Sequence, residues 1–198
     1  SSTTWVDLFT AFSQEHPQFT LSCTSLKRAD LISGGLPAQY SFLLASDDDI
    51  PDFCTANLDS ITLFTDRPVV MVPKDHPLAE KESVSLAELL NETLFLPMQD
   101  YTLHNQLVKL FAACGIPFPG GNAYSHLTSQ QMVSNGLGIG FSSVHTVRSP
   151  ALSIHYLPIS DCVSPWPCRV YWRKDRGFTK DESVFMSFLE KHYPADAK

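Results

Sequence analysis

The sequence predicts an α/β fold of two lobes, each with a mainly parallel sheet flanked by helices. Short apolar stretches with strand character alternate along the chain with helical patterns, as in proteins whose parallel strands are joined by helices. Pro68 and Pro150 interrupt this series, and proline cannot donate a hydrogen bond to a sheet. We therefore predict one lobe from residues 1–67 and 150–198, and a second lobe from residues 68–149.

The N-terminal part predicts a helix followed by a β-α-β unit. Thr4 and Asp7 are spaced as a helix start, and one helical face carries Trp5, Leu8, Phe9 and Phe12. Apolar and polar residues then alternate over 19–23, which predicts a strand. Ser25 opens a helix that ends at Gly34-Gly35, and residues 40–45 form a continuous apolar strand.

The middle of the chain predicts a second such series. Residues 59–72 indicate two strand pieces, and residues 94–96 indicate another strand. Ser85 with Glu88 has the spacing of a capping box, and Thr102 can cap a longer helix that ends at Gly115.

The series continues with a short strand over residues 122–125. Thr128 with Gln131 fits a capping box, so we expect a helix to begin at Thr128. It should end at Asn135-Gly136, because glycine adopts the left-handed conformation that closes a helix, and residues 137–141 follow as a buried strand.

The C-terminal part completes the pattern. Residues 153–157 and 169–172 indicate strands, and Thr179 with Glu182 forms a capping box for the last helix.

Composition excludes several classes of function. The chain has 198 residues, of which 43% are hydrophobic, and a net charge of −7 that argues against nucleic-acid binding by this chain alone. Its five cysteines form no CxxC pair, so we expect no structural metal, no cofactor and reduced thiols in a cytoplasm. It has neither an apolar run of about 18 residues nor a signal-peptide pattern, so no membrane contact is expected.

Candidate ligand-binding residues lie where predicted strands meet predicted helices. Ligands bind open sheets at such junctions, because free N–H groups and the helix dipole favour carboxylates and other anions there. Asp47 is added because it directly follows a predicted strand. The candidates are Ser2, Thr3, Thr4, Asp47, Gln99, Tyr101, Thr102, His126, Leu127, Thr128 and Phe141.

Single motifs that could indicate a cofactor, a metal or a catalytic residue are less well supported. Residues 136–140, GLGIG, do not match a dinucleotide fingerprint, because the glycines follow a helix and precede a strand. His126 is equally compatible with a capping or solvent-facing role and with ligand contact. The acidic run over 47–52 lacks the glycine and terminal glutamate of a calcium loop. No GxSxG elbow marks a nucleophile, so we predict no catalytic residue and no enzyme.

Three segments together resemble a known family. They are FTAFSQEHPQFTLSC (residues 9–23), RPVVMVPKDHPLAEKESVSLAELLNE (67–92) and MVSNGLGIGFSS (132–143). In order and spacing they resemble the effector-binding domain of LysR-type transcriptional regulators. The chain departs from that pattern at Tyr40, where the family often has aspartate, and before Ser1, where the family's first strand has no counterpart.

The resemblance implies a fold like that of type 2 periplasmic binding proteins, with a small effector in a cleft between the lobes. It further implies a homodimer or homotetramer, and DNA contact only through an N-terminal winged helix-turn-helix that is absent here. We expect the effector to be a carboxylate or amino-acid-like metabolite. The alternative is a solute-binding protein of a transporter.

Overall fold

A computed structural model describes residues 5–26, 31, 35–46, 50, 52–99, 101–146, 150–161 and 163–193. The chain divides into two compact units, Ser1–Thr65 with Trp166–Lys198, and Asp66–Pro165. Along the chain the elements are α1 (Trp5–Glu15), β1 (Leu43–Ser46), α2 (Asp52–Thr55), β2 (Leu58–Asp66), β3 (Pro68–Pro73), a 3-10 helix (Pro77–Glu80), α3 (Leu86–Leu89), β4 (Leu94–Pro97), α4 (Thr102–Ala113), β5 (Ala123–Tyr124), α5 (His126–Ser134), β6 (Ile139–Ser143), β7 (Ile154–Pro158), β8 (Trp166–Arg173) and α6 (Lys180–His192).

The first unit packs α1 and α6 with a sheet of strand order β1-β8-β2. The ring of Phe12 meets those of Phe185 and Phe188 edge to face, at centroid distances of 5.1 and 5.3 Å. Leu8 and Phe12 are buried as the helical spacing predicts. The capping box of Thr179 with Glu182 is confirmed at the start of α6.

The predicted strand over residues 19–23 is wrong, since these residues carry no strand. Phe19 and Leu21 pack against the α1–α6 cluster instead, and the ring of Phe19 lies 6.2 Å from that of Phe12. The alternation of apolar and polar residues here therefore reflects which side chains are buried. It does not reflect pairing with a neighbouring strand. The helix predicted from Ser25 to Gly34-Gly35 falls mostly outside the described residues.

The second unit contains a mixed sheet of strand order β5-β4-β6-β3-β7. Strand β4 runs parallel to β5 and β6, whereas β3 runs antiparallel to β6 and β7. The α/β class is confirmed, but the sheets are mixed rather than mainly parallel, and β1 also pairs antiparallel with β8. Strand β7 falls in the part of the chain that we predicted for the first lobe, and in the structure it pairs with β3 of the second unit.

Side chains from one face of this sheet, among them Val70 and Phe141, pack with Leu86, Leu107 and Phe111 to form the larger core of the second unit. Met71, Phe95 and Val133 form a separate cluster. The capping box of Ser85 with Glu88 is confirmed at α3. Among the helices that the structure describes, none combines the length and the apolar character that a bilayer-spanning helix needs.

The glycines before and within β6 serve turn geometry and close packing, as predicted. Gly136 has φ 74° after the end of α5. A Cβ added to Gly138 would lie 2.5 Å from the Thr93 carbonyl oxygen and 3.0 Å from Phe95 Cζ. The first of these atoms belongs to the backbone of the residue that precedes β4. The clash could therefore be relieved only by moving that strand.

We expect Gly138→Ala to lower the free energy of unfolding by roughly 2 kcal/mol or more, because the added methyl group overpacks a backbone contact. Gly120→Ala is the matched control, since nothing lies within 4 Å of a Cβ at that position. Urea unfolding of both variants measures the difference. Equal stabilities would contradict the packing role of Gly138.

Candidate functional site

Two helices of the second unit begin side by side at one edge of its sheet. Strands β4 and β5 are parallel and paired in register, with Leu96 opposite Ala123 and Pro97 opposite Tyr124. Their carboxyl ends therefore lie at the same edge, about 4.8 Å apart as neighbouring strands are. Helix α4 follows β4, and α5 follows β5 directly. Strand β6 is parallel to β4 and lies on the side of β4 opposite β5. Its last residue, Ser143, therefore lies at this edge as well.

Six of the candidate residues lie at these two helix starts: Gln99, Tyr101 and Thr102 at α4, and His126, Leu127 and Thr128 at α5. Gln99, Tyr101, Leu127 and Thr128 are exposed, whereas Thr102 and His126 are half-buried. Phe141 is buried in the core, with its ring 6.3 Å from that of Phe111. Ser2, Thr3, Thr4 and Asp47 lie outside the described residues. The ligand-binding roles of all these residues stay predictions.

The N-cap of helix α5 lies three residues before the one that its sequence suggests. Its N-cap is Ser125, whose Oγ accepts a hydrogen bond from the Thr128 N–H at 3.2 Å. The prediction that Thr128 caps the helix was therefore wrong. Thr128 lies in the first turn, where its hydroxyl is 2.9 Å from the Ser125 hydroxyl. Both residue types cap helices well, so spacing to Gln131 alone selected the wrong one.

Helix α4 begins at Thr102, one residue after its N-cap. Its N-cap position is Tyr101, which makes no side-chain capping hydrogen bond, and Thr102 is the first helical residue rather than the predicted cap. The Tyr101 N–H donates to the Met98 carbonyl at 3.1 Å. His104 Nδ1 donates to the Pro97 carbonyl at 3.0 Å, which holds the first turn of α4 against the end of β4. The N-terminus of a helix favours a bound anion.

His126 is the one described residue with a buried side-chain nitrogen or oxygen atom that lacks a hydrogen-bond partner. The atom is Nε2, and burial lowers the pKa of the imidazole. The helix dipole at the start of α5 disfavours the imidazolium as well. His126 is therefore a neutral side chain whose Nε2 is unsatisfied, which costs free energy until a polar group meets it.

A buried carboxylate that the sequence analysis missed lies at the same edge. Asp66 Oδ2 accepts a hydrogen bond from Ser143 Oγ at 2.6 Å, and Oδ1 accepts from the N–H groups of Arg67 and His145 at 2.8 and 3.2 Å. Thr146 Oγ1 lies 2.9 Å from Ser143 Oγ. This network fastens the start of β3 to the end of β6. An aspartate at the boundary of two apolar strands was the available signal.

Within the described ranges, no group of three or more potential metal-ligating side chains occurs. The arrangement offers backbone donors, hydroxyls, an amide and an imidazole at one sheet edge. Such groups bind and orient a polar ligand.

Comparison with protein families matches residues 1–194 to the LysR substrate binding domain. The chain belongs to this family. The resemblance inferred from the sequence is thereby confirmed, and the LysR family is one of transcriptional regulators rather than enzymes.

Relatives of this LysR domain are transcriptional regulators. The HTH-type regulator YwbI of Bacillus subtilis is 31% identical over 123 residues, which cover 59% of this chain and 40% of YwbI. The HTH-type regulator CbbR of Xanthobacter flavus is 26% identical over 192 residues, which cover 91% of this chain and 55% of CbbR. The chain thus spans about half the length of these relatives. Regulator relatives do not favour the transporter alternative.

Solved structures share the fold of this LysR domain. The effector-binding domain of QuiR in complex with shikimate superposes with a TM-score of 0.77 at 18% identity, covering 98% of this chain and 91% of that chain. The regulatory domain of CcmR from Synechocystis, in complex with 2-PG, has a TM-score of 0.77 at 17% identity, covering 94% of this chain and 89% of that chain.

The buried imidazole of His126 predicts a pH dependence of stability. Because its folded pKa is depressed, the unfolded chain binds more protons below the ordinary histidine pKa, so stability falls as the pH drops below about 6.5. When the pH is lowered from roughly 7.5 to 5.5, we expect the free energy of unfolding to fall less for His126→Gln than for the parent chain. Urea unfolding at both pH values measures this. His155→Gln, which removes an exposed histidine, should behave like the parent. Parallel losses in all three proteins would contradict the prediction.

Proposed function

We propose that this chain is the effector-sensing domain of a LysR-type transcriptional regulator and that it binds a small carboxylate or amino-acid-like metabolite. The observation that carries the proposal is the juxtaposition of the starts of α4 and α5 at the carboxyl edge of β4 and β5. The effector binds there, against Gln99, Thr102 and Thr128.

Electrostatics supports an anionic effector. Each helix start carries the equivalent of roughly half a positive charge, and two such starts on neighbouring strands add their fields. At α4, the N-cap residue Tyr101 makes no side-chain capping hydrogen bond, and the N–H groups of a helix's first turn favour an anion. At α5, Ser125 already caps the helix, so the exposed hydroxyl of Thr128 has bonding capacity left for a ligand.

Regulation requires that the effector favour one conformation of the regulator over another, because only differential affinity shifts an equilibrium. In this proposal the domain is part of a cytoplasmic homodimer or homotetramer, and a DNA-binding domain elsewhere in the protein contacts the operator. The helix-turn-helix regulators among its relatives support this arrangement.

The site assignment is tested by titrating carboxylate and amino-acid metabolites into the chain, first by thermal shift and then by calorimetry. For a ligand found this way, we expect Gln99→Ala and Thr128→Ala each to weaken binding about tenfold, as the loss of one hydrogen bond to a charged group does. Thr10→Ala is the matched control, since Thr10 is an exposed helical threonine in the first unit. Unchanged affinity in both site variants would sink the assignment.

The division of labour with DNA is tested separately. With a net charge of −7, this chain alone should not retard operator DNA in a gel, because binding requires phosphate contacts from a basic surface. The full-length regulator should retard the same fragment, and the effector should change that retardation. DNA binding by this chain alone would contradict the proposal.

A further inference from the structure

The chain passes from one unit to the other at two places, after Thr65 and after Pro165. Thr65 is exposed, and so are Ser164 and Pro165. On the side of the first unit, both connections are anchored by apolar side chains. Phe64 packs against the α1–α6 cluster, and Trp166 at the start of β8 is buried. The side of the second unit is held in a different way, by an aspartate at each connection.

At the first connection, Asp66 directly follows the exposed Thr65. Asp66 is buried, and its carboxylate accepts a hydrogen bond from the Ser143 hydroxyl at 2.6 Å. It also accepts from the N–H groups of Arg67 and His145, at 2.8 and 3.2 Å. All three donors belong to the second unit. The second unit is therefore fixed from its first residue onward.

At the second connection, Asp161 has the corresponding position. Its Oδ2 accepts a hydrogen bond from the Leu86 N–H at the start of α3, at 2.7 Å. Backbone hydrogen bonds support it, because the Val84 N–H donates to the Pro158 carbonyl at 3.0 Å and the Ser160 N–H donates to the Val84 carbonyl at 2.8 Å. The chain is thus fastened to the second unit as far as Asp161.

The exposed part of each connection is short. Val163, two residues beyond Asp161, packs against the larger core of the second unit, so the second connection has its exposed residues at 164–165. At the first connection the exposed residue is Thr65. We call Thr65 and residues 164–165 the two links. In proteins that change conformation, a few residues at the ends of elements absorb the change in φ and ψ while packed regions keep their structure.

We propose that Asp66 and Asp161 are positioning residues that confine backbone change, where the chain passes from one unit to the other, to the two links. A carboxylate suits this role because it accepts several hydrogen bonds at once, so one side chain fastens two segments of backbone. Without the aspartates, the change would extend from Thr65 into β3 and from residues 164–165 back towards Pro158.

Hydrogen exchange of the 198-residue chain, followed by NMR at single amides, tests the anchoring. In Asp66→Ala we expect the N–H groups of Arg67 and His145 to exchange roughly tenfold faster, as the loss of one hydrogen bond predicts, while Leu86 is unchanged. Asp161→Ala should show the reverse pattern, with faster exchange at Leu86 alone among these three amides.

The confinement is tested by two nitroxide labels, one in each unit. They are attached at the exposed Thr10 and Glu82 through a genetically encoded ketone, which leaves the native cysteines unmodified. Pulsed electron resonance measures the distribution of distances between the labels. We expect this distribution to become about twice as broad in Asp66→Ala and in Asp161→Ala, because more residues then take part in the change.

Asp59→Ala is the matched control, since Asp59 is an exposed carboxylate of β2 whose Oδ1 lies 3.7 Å from Lys174 Nζ within the first unit. It should leave the distribution unchanged. Ser143→Ala removes one donor to Asp66 and keeps the carboxylate, so it should broaden the distribution less than Asp66→Ala does. It also provides the test if Asp66→Ala does not fold.

Two outcomes overturn the inference. If the amides exchange faster but the distribution stays as narrow as in the parent chain, the aspartates stabilise the second unit without confining the change. If neither aspartate variant alters exchange at Arg67, His145 or Leu86, the hydrogen bonds do not anchor the connections.

Discussion

The parallel pairing of β4 with β5 and with β6 is the constraint on which the candidate site depends. Parallel strands need a crossover connection. Along the chain, α4 connects β4 to β5, and α5 connects β5 to β6. Each helix then begins at the edge where the strands end. The pairing of β4 with β6 in turn requires close contact, because the Ile139 N–H donates to the Thr93 carbonyl at 3.0 Å beside Gly138. Gly138, at the opposite end of these strands, allows this contact and so contributes to the position of the residues at the edge.

Two ionisable side chains of the second unit, the buried Asp66 and the half-buried His126, differ in their hydrogen bonding. The Asp66 carboxylate accepts hydrogen bonds at both oxygens from groups of its own unit, so its charge is matched internally and its effect is to hold β3 and β6 together. His126 Nε2 meets no donor or acceptor. The first arrangement stabilises the fold that carries the edge. The unsatisfied Nε2 of His126 lowers the stability of the fold at the edge itself. Proteins tolerate such losses of stability at binding sites.

Local signals in the sequence located helix starts to within a few residues but did not always select the right cap, and features that depend on distant residues were not predicted. The capping box of Ser85 with Glu88 needs only two side chains one turn apart, so the sequence contains all the information for it. Ser125 caps α5 because β5 ends there, which depends on the pairing of β5 with β4. Residues 19–23 alternate like a strand, but a strand exists only where another strand pairs with it. The hydrogen bond from Ser143 to Asp66 joins residues 77 apart along the chain, and the position of Asp66 between two apolar strands does not identify that partner. The helix starts were therefore predictable to within a few residues, whereas strand direction and the buried carboxylate were not.

The composition of α5 limits the apolar surface that the helix buries against the core. A helix of this length in a globular protein gains most of its stability from an apolar face against the core, yet α5 buries Ser129 and Gln130 on that face. The hydrogen bond from Gln130 to Tyr156 offsets the cost of desolvating the amide but adds little net stability. Val133 is the fully buried apolar side chain of α5, Met132 packs against the same cluster, and Leu127 is 64% exposed. The stability of α5 therefore depends more on its Ser125 cap and on these few contacts than on a broad apolar face.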